Sequence, residues 1–276
     1  MRKMIVSDMD GTLLTDQKTL LPETISALIK QQEEGTLLVL ASGRIKTRMM
    51  EYAKLLKMDV FGGYFIEANG SVIYDLKKDH REIIRSMSYQ EADELFKYLR
   101  KNYPDYEIMI MGDINAYVNL PIGVKESTFF NSNNMESLKN RDIIYIQSVY
   151  EIKELFYKVC IYKDPKSIVS VMQDVKNTFS NTYWCGRTMP FWLEIMPKEI
   201  NKGNALKKLM HRLNIDSNNI FVFGDGENDL SMLKLGNSIA MGNALDSVKK
   251  ECMYITLSNE ENGIAHFINT QMKEKL

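Results

Sequence analysis

MRKMIVSDMDGTLL, residues 1–14, opens with an apolar run, Met4-Ile5-Val6, that has the pattern of a buried strand. Ser7 ends the run, and Asp8, Met9, Asp10, Gly11 and Thr12 follow. Two carboxylates this close, at the end of an apolar strand and beside a glycine turn, repel each other and lose hydration. A divalent cation removes that cost, and Mg²⁺ prefers hard oxygen ligands of this kind. An Asp-rich turn that caps a helix is the plainer reading. A calcium loop of the helix-loop-helix type matches poorly, because that loop needs glycine at its sixth position and Gly11 stands at the fourth.

Outward from this stretch the chain alternates. Pro22 and ETISALIKQQEEG predict a helix with Ile25, Leu28 and Ile29 at helical spacing and Gly35 at its stop. Residues 37–40 predict a second buried strand running out into Ala41-Ser42-Gly43-Arg44, with a helix over residues 47–56. GGYFIEANG predicts a third strand with a turn at Asn69-Gly70, and SVIYD pairs back on it. Strand and helix in alternation are the signature of a parallel sheet covered by helices.

The rhythm changes near Glu82. RSMS reads as extended, and QEADELFKYLRKN as a helix with Ala92, Leu95, Phe96 and Leu99 on one face. YEIMIMG, AYVNL, LFYKVCIY, NTYWCGR and FWLEIMP read as strands, and PKSIVSVMQDVKNTF as a second amphipathic helix. The polar, Asn-rich residues 124–141 predict a loop and a short helix. The first rhythm then resumes: KGNALKKLMHRLN is a helix, residues 220–223 a buried strand ending in FGDGEND, and helix and strand alternate to the end. The expected fold is α/β: a Rossmann-like parallel-sheet core, residues 1–82 plus 197–276, interrupted by an inserted α/β domain over residues 83–196.

Composition narrows the function classes. The 276 residues suit two domains, and 45% apolar with 26% charged is the balance of a soluble globular chain. Lys and Arg number 35 against 36 Asp and Glu, which supports neither a nucleic-acid surface nor an anionic-membrane surface. Cys160, Cys185 and Cys252 are odd in number and far apart, which argues against a disulfide framework and suits a reducing cytoplasm. No apolar run spans a bilayer, and none of signal-peptide length precedes Asp8. Nothing points to a protein partner.

Open parallel sheets bind ligands at strand ends. Four ends carry reactive groups: Asp8 and Asp10; Ser42 and Gly43; Lys202, which opens a helix; and Asp225, Asn228 and Asp229. Each has a plain structural reading as a helix cap, a solvated charge or a turn. Together they supply a nucleophilic carboxylate, a second carboxylate for proton transfer, a hydroxyl and amides for phosphate oxygens, a cation, and acids for a metal.

These motifs resemble the haloacid dehalogenase superfamily of phosphohydrolases, its Cof-like members with a type IIB cap in particular. DMDGTLL at 8–14, ASGR at 41–44, NKG at 201–203 and FGDGENDLSML at 223–233 match the four motifs of that family. EANGSVIYD, LEIMPKEINKGNAL, AMGNA and ENGIAHF extend the match over nearly all of the core and little of the insert. Met9 stands where Leu or Phe is common, a departure that touches no reactive group.

The resemblance implies that Asp8 attacks phosphorus to give an aspartyl-phosphate, and that Asp10 protonates the leaving oxygen and then activates water. It implies Mg²⁺ held by the carboxylates of Asp8 and Asp225 and the backbone carbonyl of Asp10, with Asp229 holding metal-bound waters. Ser42, the Gly43 amide and Lys202 would bind phosphate oxygens, with Asn228 a further donor. Arg44 either contacts phosphate or braces its loop. The insert would be a cap that chooses the leaving group, with Asp113, Tyr117, Trp184 and Arg187 candidate lining residues, although packing or surface is the commoner fate of any one of them. The substrate implied is a small phosphorylated metabolite, sugar phosphates favoured. Three other classes are open: a phosphomannomutase-like phosphotransferase, a phospho-acceptor signalling domain, and a binding module without activity. The length of the insert, and an Asp10 placed to activate water, favour turnover.

Overall fold

A computed structural model describes residues 2–131 and 142–272. The chain divides into two compact units, Met1–Ile84 with Ile200–Leu276, and Arg85–Glu199.

The first unit begins β1 (Met4–Asp8), α1 (Pro22–Glu33), β2 (Leu37–Ala41), α2 (Met50–Leu55), α3 (Met58–Phe61), β3 (Tyr64–Glu67), β4 (Val72–Asp75) and β5 (His80–Ile83). Pro22 does open α1, but the buried face is Thr24, Ala27, Leu28, Gln31 and Gln32 rather than the Ile25-Leu28-Ile29 stripe. The polar members can be buried because they have partners: Thr24 Oγ1 donates to Asn262 Oδ1 at 3.1 Å, and Gln32 Nε2 to the Leu56 carbonyl at 2.8 Å. The helix expected over 47–56 is a 3₁₀ turn, Lys46–Arg48, followed by α2. The hairpin of β3 and β4 gains a third strand the sequence did not announce. β5 is an edge strand with only part-buried and exposed side chains, so it has no apolar alternation to read. RSMS, expected as extended, lies outside any strand, and its Ser88 caps the next helix.

The second unit contains α4 (Tyr89–Asn102), β6 (Glu107–Gly112), β7 (Ala116–Asn119), α5 (Thr128–Asn131), β8 (Ile143–Tyr145), β9 (Phe156–Tyr162), α6 (Pro165–Phe179), β10 (Tyr183–Met189) and β11 (Trp192–Pro197). Its six-stranded sheet has the order β10-β11-β9-β6-β7-β8, antiparallel except for the β7–β8 edge pair. α4 buries Ala92, Leu95, Phe96 and Leu99, the face its spacing predicts. Strand alternation then divides two cores. Ile108, Ile110, Val159 and Ile161 pack with the helices, and Met109, Met111, Cys160 and Trp192 cluster with Phe129 on the other face. The short helix expected within 124–141 is α5; the rest of that expectation, residues 132–141, lies outside the described residues.

The first unit resumes with α7 (Lys202–Leu213), β12 (Ile220–Gly224), α8 (Leu230–Leu233), β13 (Asn237–Ala240), α9 (Asp246–Lys249), β14 (Tyr254–Ile255) and α10 (Gly263–Phe267). Its eight-stranded sheet has the order β14-β13-β12-β1-β2-β3-β4-β5, parallel from β14 to β3. β1 lies at the centre, with Val6 beside Val39 on one side and Val222 on the other. β1, β2 and β12 are buried along their whole length, as expected where helices cover both faces. The register therefore delivers Asp8, Ser42 and Asp225 to one end of three neighbouring strands. Among the described residues no helix is long and apolar enough to cross a membrane.

Candidate active site

Asp8 is the last residue of β1 and is 6% exposed. Lys202 opens α7 and is fully buried, so it is no solvated charge. Its ammonium donates to Asp8 Oδ1 and, at 2.7 Å, to Asp229 Oδ1. Asp229 Oδ2 accepts from the Asp225 and Gly226 amides at 3.1 Å each, so this carboxylate holds the loop after β12 rather than capping α8. Asp225 Oδ1 accepts from Thr12 Oγ1 at 2.6 Å. One carboxylate oxygen from each of Asp8, Asp225 and Asp229 lies within 4.8 Å of the others.

Glycines fix these approaches. At Gly11, φ +83°, a Cβ would stand 2.5 Å from Asp225 Oδ2. At Gly70, φ +107°, it would stand 2.2 Å from the carbonyl oxygen of Asn201, the residue before Lys202. The ANG turn after β3 is thereby seated against the start of α7, which aims Lys202 at the strand ends.

Three acids facing one lysine leave excess negative charge in a poorly hydrated place. Burial and repulsion from Asp229 raise the Asp8 carboxyl well above its usual range, against the pull of Lys202. Burial, then Asp229, push Asp225 up to about 6, although Thr12 and Lys202 oppose this. Burial alone would lower the Lys202 ammonium, but Asp229 and Asp8 overcome it and hold it charged. An oxygen-lined, over-charged cluster of this size is the donor set of a hard divalent cation, which would relieve the repulsion.

Asp10 faces a different set of charges. Arg44 grips it bidentately, Nε to Oδ2 at 2.8 Å and NH2 to Oδ1 at 2.7 Å, and Lys18 Nζ reaches Oδ1 at 2.8 Å. Burial favours the neutral acid, but Arg44 and then Lys18 outweigh it and lower the carboxyl to about 2. The Arg44 guanidinium is engaged by Asp10 through Nε and NH2.

Ser42 is buried, and its Oγ accepts from the Arg44 amide at 3.2 Å; no helix is capped by it. Gly43 is exposed on the same loop. Asn228 is half-buried in the 3₁₀ turn Glu227–Asp229. The structure brings Asp8, Lys202, Asp225 and Asp229 together and adds to them Thr12, Lys18 and the seat made by Gly70, which the motifs do not single out. Thr12 was visible in the first motif; Lys18 had no signal beyond its charge.

The candidates in the second unit scatter among structural settings. Tyr117 is core, its hydroxyl donating to Glu154 Oε1 at 2.8 Å. Asp113 Oδ1 accepts from the Tyr157 hydroxyl at 3.0 Å. The Trp184 ring covers Gly186, where a Cβ would meet it at 2.4 Å. Arg187 is exposed.

Residues 5–268 match a family described as haloacid dehalogenase-like hydrolase. Two Bacillus subtilis (strain 168) proteins named 5-amino-6-(5-phospho-D-ribitylamino)uracil phosphatase align along the whole chain. YwtE is 30% identical, covering 97% of this chain and 97% of its own. YcsE is 28% identical, covering 96% and 94%. A crystal structure of a haloacid dehalogenase-like hydrolase from Bacteroides thetaiotaomicron superposes with a TM-score of 0.79 at 28% identity, covering 98% of this chain and 99% of that one.

Proposed function

The chain belongs to the haloacid dehalogenase-like hydrolases and is a phosphoric monoester hydrolase, and from that premise we propose a Mg²⁺-dependent phosphatase of a small phosphorylated metabolite that works through an aspartyl-phosphate. The observation that carries the reading is the buried Asp8–Lys202–Asp229 chain with Asp225 beside it. Asp8 is the nucleophile: its oxygen forms the bond to phosphorus as the bond to the leaving oxygen breaks. Lys202 holds that carboxylate in place and offers charge to the phosphoryl oxygens, with Ser42, the Gly43 amide and Asn228 as further donors. Asp8, Asp225 and the backbone carbonyl of Asp10 would hold Mg²⁺, with Asp229 placing its waters and the Asp225 loop. Bound there, the ion would cancel the acids' repulsion and draw charge from the phosphoryl group.

Asp10, ionised at rest, takes a proton from the water that cleaves the aspartyl-phosphate; to act as the acid on the leaving oxygen it must first take up a proton from solvent, against the pull of Arg44 and Lys18. Proton transfer of this kind is worth about 10²–10⁴ in rate. The ionised, clamped Asp10 is the form the second step needs. The Arg85–Glu199 unit holds none of the four motifs, and we assign to it the choice of substrate. The two named relatives act on a phosphorylated ribityl compound, which supports a phosphorylated sugar or polyol here.

The test is hydrolysis of a panel of sugar, polyol and nucleotide monophosphates, with Mg²⁺ and with chelator. Phosphate release from polyol or sugar phosphates that stops under chelation is the expected result. Transfer to a second sugar that requires a bisphosphate activator would make it a phosphomutase instead, and no release from any ester would overturn the reading.

A further inference from the structure

Asp10 is held by more than the motif that Arg44 belongs to. Lys18 lies in the loop between β1 and α1, and its backbone is left-handed, φ 61°. A non-glycine residue adopts this region at a cost, and the surroundings must hold it there. The hold is visible. The Lys18 amide donates to the Thr15 carbonyl at 2.9 Å, and Thr15 and Thr19 close the loop through their hydroxyls at 2.8 Å. The Lys18 carbonyl accepts from the Tyr52 hydroxyl at 3.1 Å. Tyr52 is buried in α2, and its ring centroid lies 5.4 Å from the Arg44 guanidinium carbon. The contacts close a circuit: Asp10 to Lys18, Lys18 to Tyr52, Tyr52 to Arg44, Arg44 back to Asp10.

We propose that Lys18 and Tyr52 are positioning residues for Asp10, fixing the direction of its carboxylate through this circuit; the inference rests on the acid–base role of Asp10 proposed above. Arg44 alone, held at one end by a bidentate grip, leaves the carboxylate free to swing with the guanidinium plane. Lys18 approaches from a second element and shares Oδ1 with Arg44, which removes that freedom. Tyr52 ties the Lys18 backbone and the Arg44 guanidinium to one buried side chain, which fixes where the two arms start. An ordinary half-exposed ion pair contributes little to stability. A lysine held in a strained backbone to reach one carboxylate is expected to act on rate instead.

The experiment is a double-mutant cycle on the full-length enzyme with Mg²⁺ and para-nitrophenyl phosphate, a substrate whose good leaving group keeps Asp10→Asn measurable. Lys18→Ala should lower kcat about tenfold with KM within about twofold, less than the full acid–base factor. Lys18→Arg should recover kcat to within about threefold of the parent, and Tyr52→Phe should lose about threefold while keeping the ring over Arg44. In the Asp10→Asn background, Lys18→Ala should change kcat by less than about twofold, because the group it acts through is gone. The same tenfold loss in an impaired Asp10→Asn enzyme overturns the inference alone. So does an effect confined to KM, which would make Lys18 a phosphate ligand, or an unchanged kcat in Lys18→Ala. An Asp10→Asn enzyme with parental kcat removes the acid–base reading, and the inference with it.

Discussion

The strand-end acids of the first unit are buried differently from the buried acids of the second. In the second unit each buried carboxylate has its own donors. Glu107 accepts from the Ser127 hydroxyl, the Thr128 amide at 2.7 Å and the Thr128 hydroxyl at 2.6 Å. Glu194 takes the Lys158 ammonium and, at 3.0 Å, the Trp192 indole N–H. In the first unit Asp8 and Asp229 share Lys202, and one oxygen of Asp225 lies within 4.8 Å of theirs. A satisfied acid rigidifies a fold, whereas acids gathered beyond their local cations store repulsion that only a ligand relieves. The contrast separates the strand-end cluster proposed to attack phosphorus and hold the metal from acids that hold the fold; Asp10, paired with Arg44 and Lys18, stands outside it.

The sharpest way to break the comparison is Asp8→Asn against Glu107→Gln. Asp8→Asn should cut phosphatase activity by at least about 10³, since an amide is a poor nucleophile and groups acting as a unit fail together. Its circular dichroism should match the parent, because Lys202 keeps Asp229. Glu107→Gln should lower Tm and leave kcat within about twofold. Near-equal kinetic losses from the two variants would erase the distinction.

Metal withdrawal is the next largest effect. Exhaustive chelation should abolish turnover, and Mg²⁺ should both restore it and raise Tm, by relieving the repulsion among the three acids. Ca²⁺, with longer and looser coordination, should bind without supporting turnover. Full activity in chelator, or a Tm indifferent to Mg²⁺, would count against a cation at the cluster.

Gly70→Ala tests how the first unit aims its lysine. The new Cβ cannot coexist with the Asn201 carbonyl 2.2 Å away, so α7 must shift at its first turn. The expected cost is about 1–3 kcal/mol in stability, with a fall in kcat beyond what the unfolded fraction explains. Loss of stability with an intact kcat would show that Lys202 keeps its aim without that seat.

Much of this division was legible in the residues. Asp8, Ser42, Lys202 and Asp225 stand at strand or helix ends that hydrophobic periodicity locates, and α4 buries the face its spacing gives. The failures share one cause: they depend on polar or backbone partners that hydrophobic periodicity does not report. Gln31 and Gln32 are buried on α1 and β5 joins the sheet edge without an apolar pattern; Gln32 is paid for by the Leu56 carbonyl and β5 by β4. Lys18 could not be told from any surface lysine until the fold brought Tyr52 and Asp10 to it.

A finer comparison asks what the second unit contributes to rate. Arg187→Ala should lower kcat/KM for large phosphometabolites while that for para-nitrophenyl phosphate stays within about tenfold, or ~1.4 kcal/mol. A small ester has few groups to hold, so it has little binding energy to lose. Equal losses for both esters, with folding unchanged, would put the second unit into the chemical step.

The smallest effect tests whether the second unit's acids are purely structural, and it carries a pH signature. Glu91 closes a capping box at the start of α4: its Oε2 accepts from the Ser88 amide at 2.8 Å while Ser88 Oγ accepts from the Glu91 amide at 3.2 Å. Burial would raise this carboxyl, but the Ser88 amide and the Arg85 guanidinium outweigh it and lower it below its ordinary 4.5. A depressed folded-state value means the ionised form is stabilised by folding, so its contribution is present above about pH 4.5 and is lost as pH falls through the lower, folded value. Glu91→Gln should therefore cost about 1 kcal/mol or less near neutral pH, the scale of a cap. The gap between parent and variant in denaturant midpoint should close on acidification, with kcat unchanged at pH 7. A gap that widens in acid would reverse the sign of the linkage, and a loss of kcat would place this carboxylate among the working acids instead of the satisfied ones.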